Sequence, residues 1–188
     1  PEKIPALVGD AFAELRRGRP RPVEIEIPPD TLFATGDIEL LPPAPRPERF
    51  AGEPDKLERA ARLLADARTP LIWAGGGVIG SGASEPLRRL AEALQAPVVM
   101  TSNGKGAISD RHPLAQSVLT GKELFPDADV ILAVGTRFVE PSTRLPVSTW
   151  GGLEPDRVVI HLDIDPEEID RNYPSTVGIE ADAAAGLT

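Results

Sequence analysis

From Pro54 onward, the chain alternates short apolar runs with segments of helical periodicity. The apolar runs are PLIWAG, PVVMT, DVILAVG, RVVIHLDID and TVGIEAD, and the clearest helical segments are PDKLERAARLLADA and SEPLRRLAEALQA. Apolar strands of this kind are usually covered on both faces, and helices that connect them place neighbouring strands parallel. The alternation therefore predicts an α/β domain over residues 53–188, with helices on both faces of a mainly parallel sheet.

Residues 1–52 have a different character. IPALVGDAFAELRRG predicts a helix that Gly18 closes, and RPVEIEIPPD predicts a strand in which Val23, Ile25 and Ile27 alternate with glutamates. Residues 31–52 contain LPPAPRP and predict an extended linker, because proline excludes regular helix and inner strands. Recognition of this run by a partner is the functional alternative. The chain opens without methionine, so we expect a piece of a longer protein.

The composition narrows the classes of partner. A formal net charge of -9 and a pI near 4.8 argue against nucleic acid and anionic membrane surfaces, since both would repel the protein. No apolar run reaches the ~18 residues of a membrane span. Cysteine is absent, which excludes disulfides and thiolate metal sites and favours a cytoplasmic location. With only two histidines, we expect no metal centre.

The segment LIWAGGGVIGSGAS contains a glycine motif between a predicted strand and a predicted helix. Gly75, Gly77 and Gly80 fit the spacing G-x-G-x-x-G, in which backbone amides approach a pyrophosphate at a helix N-terminus. A typical NAD-binding Rossmann domain also has an acidic residue at the end of the next strand, and this chain has VVMTSNGKG there. The motif therefore leaves two alternatives: a phosphate-binding loop, or glycines that only let helix and strand pack closely.

Polar side chains follow the other predicted strands, where open α/β sheets bind ligands. These are Thr101, Lys105, Arg137, Asp163, Asp165 and Asp182. They predict a crevice, but three of them have a structural alternative: Asp163 and Asp165 would cap a helix starting at Pro166, and Arg137 would form a salt bridge within the loops. For His161, within a strand, a hydrogen-bonded structural role is favoured over catalysis. No pairing of nucleophile and base is evident, so the sequence predicts binding and no complete active site.

The ordered set RPVEIEIPPD, PLIWAGGGVIGSGA, APVVMTSNGKGAI, HPLA, ADVILAVGTRF, VVIHLDIDPEEIDRNY and VGIEADA resembles the middle domain of thiamine-diphosphate-dependent enzymes of the acetolactate synthase, pyruvate oxidase and benzoylformate decarboxylase type. The resemblance covers nearly the whole chain. It implies a three-layer α/β/α fold with a mainly parallel, six-stranded, Rossmann-like sheet, similar to that of deoxyhypusine synthase. Residues 1–30 would be the last helix and strand of a pyrimidine-binding domain, 31–52 the linker and 53–188 the middle domain.

The same resemblance implies a cytoplasmic homodimeric or homotetrameric parent in which a diphosphate-binding domain follows. Thiamine diphosphate and magnesium would be held outside this chain, because the family's catalytic glutamate and its G-D-G…N-N motif are not found here. This piece alone would be inactive. In the parent, a lyase or transferase, the thiazolium carbanion would attack a 2-oxo acid and release carbon dioxide, so that a carbon–carbon bond is cleaved or formed.

In relatives that carry FAD or an ADP moiety, the middle domain holds it. By motif, the resemblance transfers this role to Gly75, Gly76, Gly77, Thr101, Gly135, Arg137, Asp163, Ile164, Asp182 and Ala183. Two segments depart from acetolactate synthases, AQSVLTGKEL and GTRFVEPST, and both lie near the flavin in those enzymes. The hypotheses are therefore a domain that binds FAD, ADP or a coenzyme A derivative, a structural domain with an empty crevice, and a free-standing NAD-binding domain of the deoxyhypusine synthase or sirtuin type.

Overall fold

A computed structural model describes residues 1–43, 45, 47–138 and 157–188. The chain divides into two compact units, Pro1–Glu48 and Arg49–Thr188. In the described part of the chain, no helix combines the length and the apolar character needed to cross a bilayer.

The second unit is built on a six-stranded sheet. Its strands are β1 Pro70–Ala74, β2 Val98–Met100, β3 Ala115–Ser117, β4 Val130–Val134, β5 Val158–Asp163 and β6 Val177–Glu180. The strand order is β3-β2-β1-β4-β5-β6, and each neighbouring pair is parallel. The order reverses between β1 and β4, which is where such sheets open a crevice at the carboxyl ends of their strands.

Helices cover both faces of this sheet. They are α3 Pro54–Ala65, α4 Gly76–Ser81, α5 Ser84–Leu94, α6 Val118–Leu124, a 3-10 turn Phe125–Asp127, and α7 Ala183–Gly186. Alternate strand residues point to opposite faces, so Ile72 packs with Leu87 of α5 in one core while Leu71 packs with Phe125 in the other. The three-layer α/β/α fold with a parallel six-stranded sheet is therefore confirmed.

Three local predictions were wrong. The strand β3 was not predicted, because three residues at the edge of the sheet carry no apolar run. No helix starts at Pro166; Asp163 and Asp165 instead accept hydrogen bonds from the amides two residues ahead, at 3.0 and 3.2 Å, and turns follow. Ser84, which the start of SEPLRRLAEALQA predicts as a capping residue, is instead the first residue of α5, and Ala83 occupies the cap position.

In its described residues, the first unit contains two helices, α1 Ile4–Leu15 and α2 Pro29–Leu32. The predicted first helix is present, although none of its residues is buried. The predicted strand at Val23–Ile27 is wrong: among the described residues this segment pairs with no strand, and an isolated strand leaves its backbone groups without a ladder. Between Leu32 and Pro54 the described residues form no further helix or strand, and positions 44 and 46 lie outside the described residues.

Candidate functional site

The candidate binding residues follow the carboxyl ends of neighbouring strands. Gly75, Gly76 and Gly77 follow β1, Gly135 and Arg137 follow β4, Asp163 ends β5 and precedes Ile164, Asp182 and Ala183 follow β6, and Thr101 follows β2. Because all of these strands are parallel, their carboxyl ends lie together, and the structure brings the candidates to this end of the sheet, which we call the sheet edge. They form a row in the order β2, β1, β4, β5, β6.

The segment Gly75–Gly77, which we call the glycine loop, packs against the loop that follows β4. The N–H of Gly75 donates to the carbonyl of Val134 at 2.9 Å, and that of Gly77 donates to the carbonyl of Gly135 at 2.9 Å. A Cβ on Gly75 would lie 2.2 Å from the Gly135 oxygen, and one on Gly77 would lie 2.7 Å from the Gly135 Cα. By contrast, nothing lies within 4 Å of a Cβ on Gly80. Close packing between the β1 and β4 loops therefore explains the first two motif glycines.

The loop that follows β2 also packs against the end of β1 and the glycine loop. Thr101 donates its N–H to the carbonyl of Ala74 at 3.0 Å, and its Oγ1 accepts a hydrogen bond from the N–H of Gly104 at 3.1 Å. A Cβ on Gly104 would lie 2.2 Å from the Ala74 oxygen, and one on Gly76 would lie 3.2 Å from Asn103. Three loops thus meet at the centre of the sheet edge. The Thr101 hydroxyl is part of this internal network and is buried.

Arg137 is the cationic side chain of this edge. Its side chain is exposed, while its backbone carbonyl accepts a hydrogen bond from Nδ2 of Asn172 at 2.8 Å. Within the described residues, no carboxylate pairs with its guanidinium. The ion pair between loops that the sequence left open is therefore not formed there. A guanidinium with free donors is suited to phosphate or carboxylate.

Asp163 supplies a buried carboxylate at the end of β5. The side chain is 6% exposed, and burial raises its pKa; Asp165 and Glu168 act in the same direction. The hydrogen bond from the N–H of Asp165 and the charge of His161 oppose this rise. Only Oδ1 is engaged by that amide. A carboxylate in this position can accept hydrogen bonds from hydroxyl groups of a ligand.

Asp182 has a structural role that accounts for its position. Its Oδ1 accepts hydrogen bonds from the N–H groups of Ala184 and Ala185 at 3.0 and 3.1 Å, which caps α7. The same oxygen lies 3.3 Å from an Nη1 of Arg49. Ala183 is buried beside it, and Ile164 is half-buried after β5. These contacts occupy one oxygen of Asp182 and leave Ile164 and Ala183 to backbone or apolar contact.

A cleft of about 390 Å³ lies at the carboxyl ends of β2 and β3, beside the row of candidates. It is lined by Met100, Thr101, Ser102, Lys105, Asp110, Ala115, Gln116, Ser117 and Val118. Of the polar side chains that predicted the crevice, Thr101 and Lys105 line this cleft. Gln116 and Ser117 were not predicted individually, because they belong to the short strand β3. They do lie in AQSVLTGKEL, one of the two segments that differ from acetolactate synthases. The other segment that differs from acetolactate synthases is GTRFVEPST, and its residues 139–143 lie outside the described residues.

The arrangement favours binding over chemistry. Arg137, the buried Asp163 and several backbone groups lie at the same sheet edge, and among the described residues of this edge no nucleophile lies beside a base. Among the described residues, no group of three or more His, Asp and Glu side chains is arranged to hold a metal ion. The site can therefore orient an anionic, hydroxyl-bearing ligand.

Comparison with known proteins gives a consistent result. Residues 57–188 match the family model described as thiamine pyrophosphate enzyme, central domain. The chain is 38% identical over 196 residues to a protein of Methanocaldococcus jannaschii named a probable acetolactate synthase large subunit, covering 97% of this chain and 32% of that protein. It is also 38% identical over 195 residues to a protein of Pseudomonas aeruginosa named a probable 2-ketoarginine decarboxylase, covering 100% of this chain and 33% of that protein.

Among solved structures, the chain is similar to one described as a thiamin diphosphate-dependent enzyme isolated from Mycobacterium smegmatis. The TM-score is 0.77 at 22% identity, and the match covers 99% of this chain and 36% of the other. At this identity the likeness shows the fold. The chain spans about a third of the length of the curated relatives that it matches.

Proposed function

The chain belongs to the family of thiamine pyrophosphate enzyme central domains, and we propose that it is the middle domain of a longer enzyme. We propose that this enzyme acts on a 2-oxo acid or a related carbonyl compound. The parent would cleave or form a carbon–carbon bond as a lyase or transferase. Thiamine diphosphate, which supplies the carbanion for this chemistry, and magnesium would be bound by pyrimidine-binding and diphosphate-binding domains of the same parent. The parent would assemble as a homodimer or homotetramer.

The substrate of that parent is not set by this domain. Two relatives named for different activities, acetolactate synthesis and 2-ketoarginine decarboxylation, are equally similar to the chain at 38% identity. An enzyme family can change its substrate while keeping a domain that does not contact it. We therefore assign the middle domain a supporting role in catalysis, with residues that select the substrate lying elsewhere in the parent.

We further propose that the crevice binds the ADP moiety shared by FAD, ADP and coenzyme A. The observation that carries this proposal is the exposed Arg137, without a carboxylate partner among the described residues, at the same sheet edge as the buried Asp163. Arg137 would hold a phosphate group, and the free oxygen of Asp163 would accept a hydrogen bond from a ribose hydroxyl. Gly76 would contribute its N–H.

The glycine loop fits this role only in part. The amides of Gly75 and Gly77 already donate to carbonyls of the β4 loop, so they do not form an open phosphate cradle. This observation favours the second candidate function, a structural middle domain that supports its neighbours in the parent. The two candidates differ in whether Arg137 and Asp163 contact a ligand.

A thermal-shift experiment separates them. The purified chain is heated with FAD, ADP or coenzyme A at millimolar concentration, beside the chain without ligand. At one hundred times Kd, binding would raise the stability by ~2.7 kcal/mol and Tm by about 5–10 °C. A shift with all three ligands indicates recognition of ADP, and a shift with FAD alone indicates that the flavin is also required.

The variant Arg137→Ala tests the site itself. It should remove most of the shift, leaving weak ADP binding, while the Tm of the unliganded chain stays within about 2 °C, because an exposed side chain is removed. Arg89→Ala is the matched control, since it removes an equal charge from the exposed face of α5 and should retain the shift. Absence of any shift at millimolar ligand would refute nucleotide binding and leave the structural role.

A further inference from the structure

The loop that carries Arg137 has an unusual backbone. In the segment Gly135–Phe138, which we call the arginine loop, Gly135 has φ +53° and Phe138 has φ +47°. A left-handed backbone is open to glycine but costs about 1 kcal/mol or more for a phenylalanine. Such a residue keeps this conformation only where its surroundings hold it. The arginine loop must therefore be held by contacts outside itself.

One set of contacts holds the Phe138 ring. The ring is 4% exposed and packs against Tyr173, with ring centroids 4.5 Å apart, and against Trp73, with centroids 5.8 Å apart. The N–H of Phe138 donates to Oγ1 of Thr136 at 3.1 Å. The end of the arginine loop is thus anchored in one of the two cores of the sheet.

A second set of contacts holds the backbone carbonyl groups of Thr136 and Arg137. His161, which is 1% exposed in β5, lies with Nε2 2.8 Å from the carbonyl oxygen of Thr136. Because a carbonyl can only accept, Nε2 must carry a proton. Nδ2 of Asn172 donates to the carbonyl of Arg137 at 2.8 Å. The peptide groups before and after the Arg137 Cα are therefore both fixed, while its side chain is left in solvent.

We propose that His161 is a positioning residue: through its hydrogen bond to the Thr136 carbonyl, it orients the Arg137 side chain toward the nucleotide. This inference rests on the proposed nucleotide site, but the hold of His161 on the arginine loop is a separate property. A histidine that only filled the core would stabilise the domain without changing how Arg137 is presented. His161 differs because its buried donor bonds the peptide group directly before Arg137.

The first test needs no ligand. Trypsin cleaves after arginine, so the rate of cleavage between Arg137 and Phe138 reports how firmly the arginine loop is held. We expect His161→Leu, which keeps bulk but loses the donor, to raise that rate about tenfold relative to cleavage after the exposed Arg111. His161→Gln restores a donor of similar reach and should return the rate toward that of the unsubstituted chain. Mass spectrometry identifies the two cleavage sites.

The second test measures binding of ADP by calorimetry. We expect His161→Leu to raise Kd about tenfold and His161→Gln to recover most of the affinity. With Arg137→Ala already present, His161→Leu should change Kd no further, because its effect passes through Arg137. Asn172→Ala provides a second variant at an exposed position, so that the test stands even if His161→Leu fails to fold; it should loosen the loop and weaken ADP in the same way.

The outcomes separate the two proposals. Unchanged cleavage after Arg137 in a folded His161→Leu would overturn the positioning role of His161, whether or not ADP binds, and unchanged cleavage in Asn172→Ala would show that the arginine loop does not depend on its flanking carbonyl contacts. An equal rise in Kd with and without Arg137 would also overturn it, since His161 would then act as a core residue. If ADP fails to bind the unsubstituted chain, the nucleotide site is refuted, while the cleavage rates still decide whether His161 holds the loop.

Discussion

Replacing Gly75 with alanine would place a methyl group where the backbone of the β4 loop already lies. The Cβ would stand 2.2 Å from the Gly135 oxygen and 2.5 Å from Cβ of Thr136. Gly75 itself has φ -101° and ψ -175°, which alanine adopts freely, so the whole cost is steric. Overpacking costs about 1–3 kcal/mol, and displacement of the Val134 carbonyl from the Gly75 N–H adds about 1 kcal/mol. We expect a loss of about 2–4 kcal/mol.

Gly80→Ala is the matched control within the same motif. Gly80 lies inside α4, and nothing stands within 4 Å of the position that its methyl group would take, so alanine should stabilise the domain by about 0.5–1 kcal/mol. Urea unfolding followed by circular dichroism gives both values. If the stability of Gly75→Ala lay within about 0.5 kcal/mol of that of the unsubstituted chain, the close packing of the β1 and β4 loops would be refuted as the reason for the glycine.

Four further substitutions, at three aspartates, are compared by urea unfolding. Asp182→Ala should cost about 1 kcal/mol through loss of the α7 cap, whereas Asp182→Asn should retain most of that stability; equal losses would contradict the cap. Asp163→Asn should stabilise the domain at pH 7, and this gain should vanish as the pH falls below about 4. The sign follows because burial raises the pKa of Asp163 in the folded state, so the folded state favours the protonated carboxyl and loses stability as the pH rises through that pKa. A gain in stability that did not depend on pH would contradict this explanation. Asp129→Ala, at the opposite edge, should cost about 2 kcal/mol, since its carboxylate accepts from the N–H of Thr69 at 3.0 Å, and should leave ADP binding unchanged.

The parallel core could be predicted from the sequence because each buried strand is a continuous apolar run. PLIWAG and DVILAVG became β1 and β4 at the centre of the sheet. The strand β3 could not be predicted, since an edge strand of three residues is defined by pairing with β2 rather than by its own composition. The segment Val23–Ile27 shows the converse: its alternation is typical of a strand, but no neighbour in the described chain pairs with it.

The site was predictable in its location and less so in its contacts. Polar residues after consecutive parallel strands must meet at one edge, and the structure places Arg137 and Asp163 there. The sequence could not distinguish a phosphate loop from close packing at Gly75, because the atoms that approach it belong to Gly135, far along the chain. His161 was expected to be structural, and its bond to the Thr136 carbonyl became visible only once β4 and β5 were paired.

The most direct test of nucleotide binding is a titration of the isotopically labelled chain with ADP, followed by nuclear magnetic resonance. We predict shifts of the Arg137 side-chain Nε–H signal and of the backbone amides of Gly76 and Asp163, with Arg68 and Asp129 at the opposite edge unmoved. In Arg137→Ala, the shifts of the Gly76 and Asp163 amides at the same ADP concentration should be largely lost. Saturating ADP that left the crevice signals unchanged, or moved them equally in Arg137→Ala, would contradict the proposed site.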